Sequence, residues 1–215
     1  MLNLDPPTII SRIITLIIAF TLHEFAHAAT ANALGDDTPR LAGRLTLNPI
    51  AHLDLIGTIL LLVAGFGWAK PVPINPYALR RRSRAGLMWV SVAGPLTNLL
   101  LAVLAAIPLH FDWISYFAAT GRFLPTLGQF LLEFVLINLA LFLFNLIPLA
   151  PLDGEKVLTF FLPPAMEEAY QKFRPYAPMV LLAIAFIGPM IGIDLLGILI
   201  RQPLNRLARF LIGIG

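Results

Sequence analysis

The sequence predicts an all-α membrane protein, a polytopic helical bundle with a re-entrant or extended segment near residues 53–76. Three observations carry that prediction. Hydrophobic residues make up 58% of the 215-residue chain and charged residues only 13%, against about 25% charged in ordinary soluble domains. Mean hydropathy is +0.83. Several apolar stretches are long enough to cross about 30 Å of hydrocarbon, and proline, glycine and arginine punctuate the connections between them. The net charge of +3 leaves no basis for a nucleic-acid partner. The lipid bilayer is the expected environment.

The first helix is expected to open at Pro6-Pro7, where proline suits an opening turn, and to end near Gly35, before Asp36, Asp37 and Pro39. Small-residue patterns at Ala29-Thr30-Ala31 and Ala31-Asn32-Ala33 resemble cleavage sites. The leading segment, however, carries Asp5 and has no basic cluster apart from Arg12, so it reads as a retained span. Arg40 to Asp54 is a polar connection. Leu53 to Trp68 is apolar but short, with Gly57, Gly65 and Gly67. In the run from Ala69 to Pro76, three prolines exclude helix and favour an extended segment.

Ala85 to about Leu109 is a second span, broken up by Gly94-Pro95. A third runs from about Leu124 to Ile147. Tyr176 to Ile200 is a fourth candidate, interrupted at Gly188-Pro189. Beyond it, Leu204, Leu207, Phe210 and Leu211 interleave with Arg206 and Arg209, which suggests a short amphipathic helix at the membrane interface. The whole reads as one transmembrane domain over 1–215, with a core at 7–160 and C-terminal helices at 165–213.

The chemistry concentrates in His23-Glu24-Phe25-Ala26-His27, inside the first apolar stretch. Histidines four apart share one helix face and can hold one metal ion, and the glutamate lies within reach of a metal-bound water. Ionisable groups at membrane depth are costly and mark function. The chain has no cysteine, so the remaining ligand of a catalytic zinc, which takes three protein ligands and an open position, must be His, Asp or Glu. Asp153 is the choice. It follows Pro148 and Pro151 and precedes Gly154, a helix-free turn that can aim a side chain into a protein-enclosed cavity. Aspartate after a proline turn also suits a helix N-cap, and the two roles can coexist.

His-Glu-Phe-Ala-His in a membrane helix, Ala93-Gly-Pro-Leu-Thr-Asn98, and Asn145-Leu-Ile-Pro-Leu-Ala-Pro-Leu-Asp-Gly154 together resemble the site-2 proteases, a family of intramembrane zinc metallopeptidases. The resemblance covers about three quarters of the chain. It implies one Zn2+ held by His23, His27 and Asp153, Glu24 as catalytic base, and Asn145 as a substrate-holding residue. Gly94, Pro95 and Asn98 match an element expected to serve close helix packing. The chain leaves no room for the PDZ or nucleotide-sensing domain of larger members.

Asp153 must reach the depth of His27, which constrains the topology. If Leu53 to Trp68 crossed the membrane, Asp153 would arrive on the wrong face. A re-entrant or interfacial segment brings it to the face where the first helix ends, together with Arg80, Arg81, Arg82 and Arg84. The positive-inside rule makes that face cytoplasmic, which implies a multi-pass cell-membrane protein with its active site nearer the cytoplasm. The expected substrates are transmembrane helices of other proteins, cleaved in or near the bilayer. The extended segment, through Val72 and Asn75, is expected to receive an unwound substrate strand by edge pairing.

Two other functions fit a hydrophobic chain with a metal motif. A metal transporter would need ligands on several spans, and an inactive scaffold would not need an intact base. His52 and Asp54 read as interface polar groups, or as a pair supporting the site. Trp68, Trp89 and Trp113 read as interface anchors, and Glu133 and Asp194 have no partner visible in the sequence.

Overall fold

The structure is a computed structural model that describes residues 5–54, 57, 69–115 and 123–214. Described residues form α1 (Pro6–Ala33), α2 (Thr38–Leu41), α3 (Pro76–Arg82), α4 (Gly86–His110), α5 (Leu127–Asn145) and α6 (Gly154–Phe161). They are followed by α7 (Pro164–Met190) and α8 (Gln202–Ile212). Helices α1, α4, α5 and α7 are each long and apolar enough to cross a membrane. No strand occurs among the described residues. This is a multi-pass helical membrane protein.

Local chemistry explains the helix ends. Pro6 and Pro7 occupy the first turn of α1, where their missing N–H groups cost nothing. At the other end Gly35 takes φ +87°, so the Asp36 N–H reaches the Ala31 carbonyl at 2.9 Å and closes the helix. Thr126 caps α5 by accepting from the Gln129 N–H. Asn75 caps α3 by accepting from the Tyr77 and Ala78 N–H groups.

Helices α1, α4 and α5 pack on one another. Polar contacts order them. Near the start of α1, Arg12 pairs with Glu133 of α5 at 3.3 Å, and Gln129 donates to Thr8. Toward its end, Ala31 packs with Leu79 of α3 and Val90 of α4. Thus α4 runs antiparallel to α1, and α5 runs parallel to it. The Gly94-Pro95 break expected in the second span does not occur. Helix α4 is continuous through Pro95 and Pro108, because packing against α1 and α5 supports it where the proline removes an N–H.

The fourth candidate span differs from expectation. The helix continues past Gly188-Pro189 to Met190, then ends in a turn at Gly192, whose φ is +83°. Ile193 donates back to the Gly188 carbonyl at 2.8 Å. Tyr176 to Ile200 is therefore two helical segments joined by a turn rather than one helix. The amphipathic tail helix α8 packs against the bundle. Ala208 and Ile212 are buried with Ala102, Ala106 and Leu109 of α4 and Val135 and Leu139 of α5. His110 donates to the Leu211 carbonyl. The arginines of α8 are left on its outer face by the same amphipathic spacing.

Most of Leu53 to Trp68, including Trp68, lies outside the described residues. Its flanks are described and they meet. The Lys70 N–H donates to the His52 carbonyl at 2.9 Å. The buried Arg44 donates to the carbonyls of Ala51, Lys70 and Pro71. The chain therefore leaves and returns at one place, beside the end of α1. Residues 69–75 carry no helix. The far end of this stretch is held by Asp36, whose carboxylate accepts from the Asn75 N–H at 2.6 Å.

Candidate metal centre

His23 and His27 lie one turn apart on α1, both buried against α4. Their Nε2 atoms are 3.0 Å apart. Asp153 arrives from the turn after α5 and places Oδ2 3.3 Å from each Nε2. It stands at the N-cap position of α6 but makes no side-chain cap hydrogen bond, so its carboxylate is committed to the histidines.

The turn that delivers Asp153 is tightly built. Gly154 lies so close to the Leu146 and Ile147 carbonyls that a Cβ could not fit. Helix α7 braces the turn from outside. Tyr170 donates its hydroxyl to the Pro148 carbonyl at 3.2 Å. Arg174 pairs with the buried Glu155 at 2.6 Å.

Three features suit this cluster to a metal ion. Tetrahedral zinc with bonds of about 2.0–2.1 Å sets neighbouring donors about 3.3–3.4 Å apart, close to the separations seen. The Nδ1 atoms face the Val90 carbonyl and the Asn98 side-chain oxygen, each at 2.6 Å, which leaves Nε2 as the free nitrogen of both rings. Gly94 of α4 completes a cradle. A Cβ there would fall 2.6 Å from His23 Nε2 and closer still to His27 Nε2, so only glycine keeps the space before both nitrogens open. His23, His27 and Asp153 can hold a metal ion.

The sequence comparisons agree with this geometry. The family model "Peptidase family M50" matches residues 120–188. A Bacillus subtilis (strain 168) protein named "Putative zinc metalloprotease YwhC" is 45% identical over 178 residues, which cover 83% of this chain and 80% of that protein. The chain belongs to peptidase family M50. "Putative zinc metalloprotease Rip2" of Mycobacterium tuberculosis (strain ATCC 25618 / H37Rv) is 32% identical over 82% of this chain and 66% of its own length. The Mycolicibacterium smegmatis (strain ATCC 700084 / mc(2)155) protein of that name is 28% identical over 78% and 63%. No solved structure matches. This M50 peptidase is a zinc metalloprotease set among membrane-crossing helices.

The other residues singled out in the sequence of this M50 peptidase are placed as follows. Glu24 is buried on α1 between the two histidines. Asn145 ends α5 and donates to the Leu141 carbonyl of its own helix. Val72 is half-buried in the extended segment. Asn75 has its N–H on Asp36 and its side-chain oxygen on the first turn of α3. His52 donates to the Thr46 carbonyl. Glu133 finds Arg12, and Asp194 finds Arg201 at 3.1 Å. Asn98, expected to serve packing, also contacts His23 and donates to Asn138. Asn138 went unremarked in the sequence, although an amide in an apolar helix is a signal for an interhelical contact.

Proposed function

We propose that this M50 peptidase cuts peptide bonds in or near transmembrane helices of other membrane proteins, in the manner of regulated intramembrane proteolysis. The observation that carries the reading is the convergence of two α1 imidazoles and the Asp153 carboxylate, all on membrane-crossing helices or the turn beside them. We assign His23, His27 and Asp153 as ligands of one zinc ion and Glu24 as the general base. When bound, zinc supplies Lewis acidity and lowers the pKa of a coordinated water toward about 7. Glu24 accepts a proton from the attacking water and returns it to the departing amine nitrogen. Asn145, at the mouth of the Asp153 turn, orients the substrate backbone.

The extended segment supports a strand-pairing role for its edge. Pro71 and Pro73 lack N–H groups, so Val72 and Ile74 supply the donors. Arg44 holds the Lys70 and Pro71 carbonyls and Asp36 holds the Asn75 N–H, which fixes both ends of the edge. Val72 then contacts the substrate, and Asn75 acts by anchoring the strand. A groove of about 540 Å³, bordered by Pro71, Pro151, Lys156 and Arg174, lies between this segment and the turn that carries Asp153. The whole chain serves as one protease domain in the cell membrane. The arginines of α3 lie on the face where α1 ends, which supports placing the site toward the cytoplasm.

The test is cleavage of single-pass substrates in lipid vesicles. Substrates with a helix-breaking residue near the cut should be cleaved faster than uniformly helical ones, because a helix hides its carbonyls in its own hydrogen bonds. Cleavage confined to soluble unfolded peptides, with every membrane helix refused, would remove the reading.

A further inference from the structure

The hydrogen bonds behind His23 form a chain with a fixed direction. The Phe134 main-chain carbonyl can only accept, so the amide that meets it, Nδ2 of Asn138 at 2.9 Å, must be the donor. That orients the Asn138 oxygen toward α4, where it accepts from Asn98 Nδ2 at 3.0 Å. Asn98 is then left with its oxygen toward α1, 2.6 Å from His23 Nδ1. An amide oxygen can only accept, so Nδ1 of His23 carries a proton, and in the neutral ring Nε2 keeps the lone pair. Both asparagines are fully buried, so no solvent competes for any link.

We propose that Asn98 and Asn138 are positioning residues whose relay, anchored on the Phe134 carbonyl, sets the tautomer of His23 for metal binding. His27 reaches the same state through one direct bond to the Val90 carbonyl. A carbonyl has one polarity, whereas an isolated Asn98 can turn its amide over and offer Nδ2. His23 Nδ1 would then accept, and Nε2 would present a hydrogen to the ion. Asn138 removes that alternative without touching the histidine. The proposal rests on His23 being a zinc ligand.

The experiment measures zinc affinity by chelator competition for the full-length protein in lipid vesicles and for Asn138→Leu, Asn138→Asp and His23→Ala. The Asp variant keeps an acceptor for Asn98 and the Leu variant does not. Leu should weaken zinc about 10–100-fold, the range for lost support of metal ligands, and Asp should bind severalfold tighter than Leu. Nitrogen NMR of the His23 ring in metal-free protein should report the Nδ1–H tautomer in wild type and a mixture in Asn138→Leu. Wild-type affinity in Asn138→Leu, or equal affinity for Leu and Asp, overturns the relay. So does an Nε2–H tautomer in the metal-free wild type, a readout that needs no variant to fold. Undiminished zinc in His23→Ala overturns the ligand assignment itself, a different failure from that of the relay.

Discussion

Gly94 of α4 faces the His27 imidazole so closely that one added carbon would fill the space before its Nε2. The residue sits mid-helix, where glycine costs about 0.5–1 kcal/mol relative to alanine. Gly94→Ala should therefore separate metal binding from helix stability. Zinc affinity should fall about 100-fold or more, since the Cβ competes with the ion's position, while α4 remains helical. Metal content and circular dichroism on the same preparation check this. Full zinc occupancy in Gly94→Ala would mean the ion sits elsewhere.

The Lys70–His52 bond and the Arg44 clamp set the topology. A chain without cysteine suits single-cysteine labelling in sealed vesicles. Cysteines at Arg40 and Arg82 should label from one face, and a cysteine at the exposed Trp113, beyond the other end of α4, from the opposite face. Labelling of Arg40 and Arg82 from different faces contradicts the fold.

Arg44 is buried with its guanidinium on three main-chain carbonyls. Arg44→Ala leaves those carbonyls without their donor, at about 1–3 kcal/mol for each that stays buried and unpaired. The extended segment should loosen while the His23–His27–Asp153 cluster remains. Cleavage of a membrane substrate should fall at least tenfold at unchanged zinc content, a loss that assays of turnover and bound metal resolve together.

Arg12 and Glu133 join α1 to α5 at 3.3 Å, each only partly exposed. Glu133→Ala should cost about 1–3 kcal/mol, because it strands a cation between helices. Arg12→Met combined with Glu133→Met should recover part of that loss. Unfolding of the single and double variants in detergent yields the coupling directly.

Much of the helix order was legible in the sequence because it depends on local signals. Pro6-Pro7 and Gly35 marked α1 to within a residue or two, and the end expected for the third span at Ile147 lies two residues beyond that of α5. The spacing of His23 and His27, and the prolines before Asp153, pointed to groups that do lie together. Non-local features were hidden. Pro95 predicted a break, and packing by two neighbouring helices overrode it. Gly188-Pro189 predicted an interruption, yet the turn comes after it, where Gly192 adopts positive φ. The Arg12–Glu133 and Asn98–Asn138 contacts join residues far apart in the chain, so no sequence period reveals them. The amphipathic spacing of α8 was read correctly, but it could not tell a lipid surface from the flank of α4 and α5.

Bound zinc and turnover, measured together for wild type and Glu24→Gln, decide whether Glu24 serves as the base beside a zinc ion. About one zinc per chain is expected in both proteins, with a loss of cleavage of about 10²–10⁴-fold in Glu24→Gln, the usual contribution of a general base. Cleavage by Glu24→Gln at the wild-type rate, with zinc in place, would contradict it.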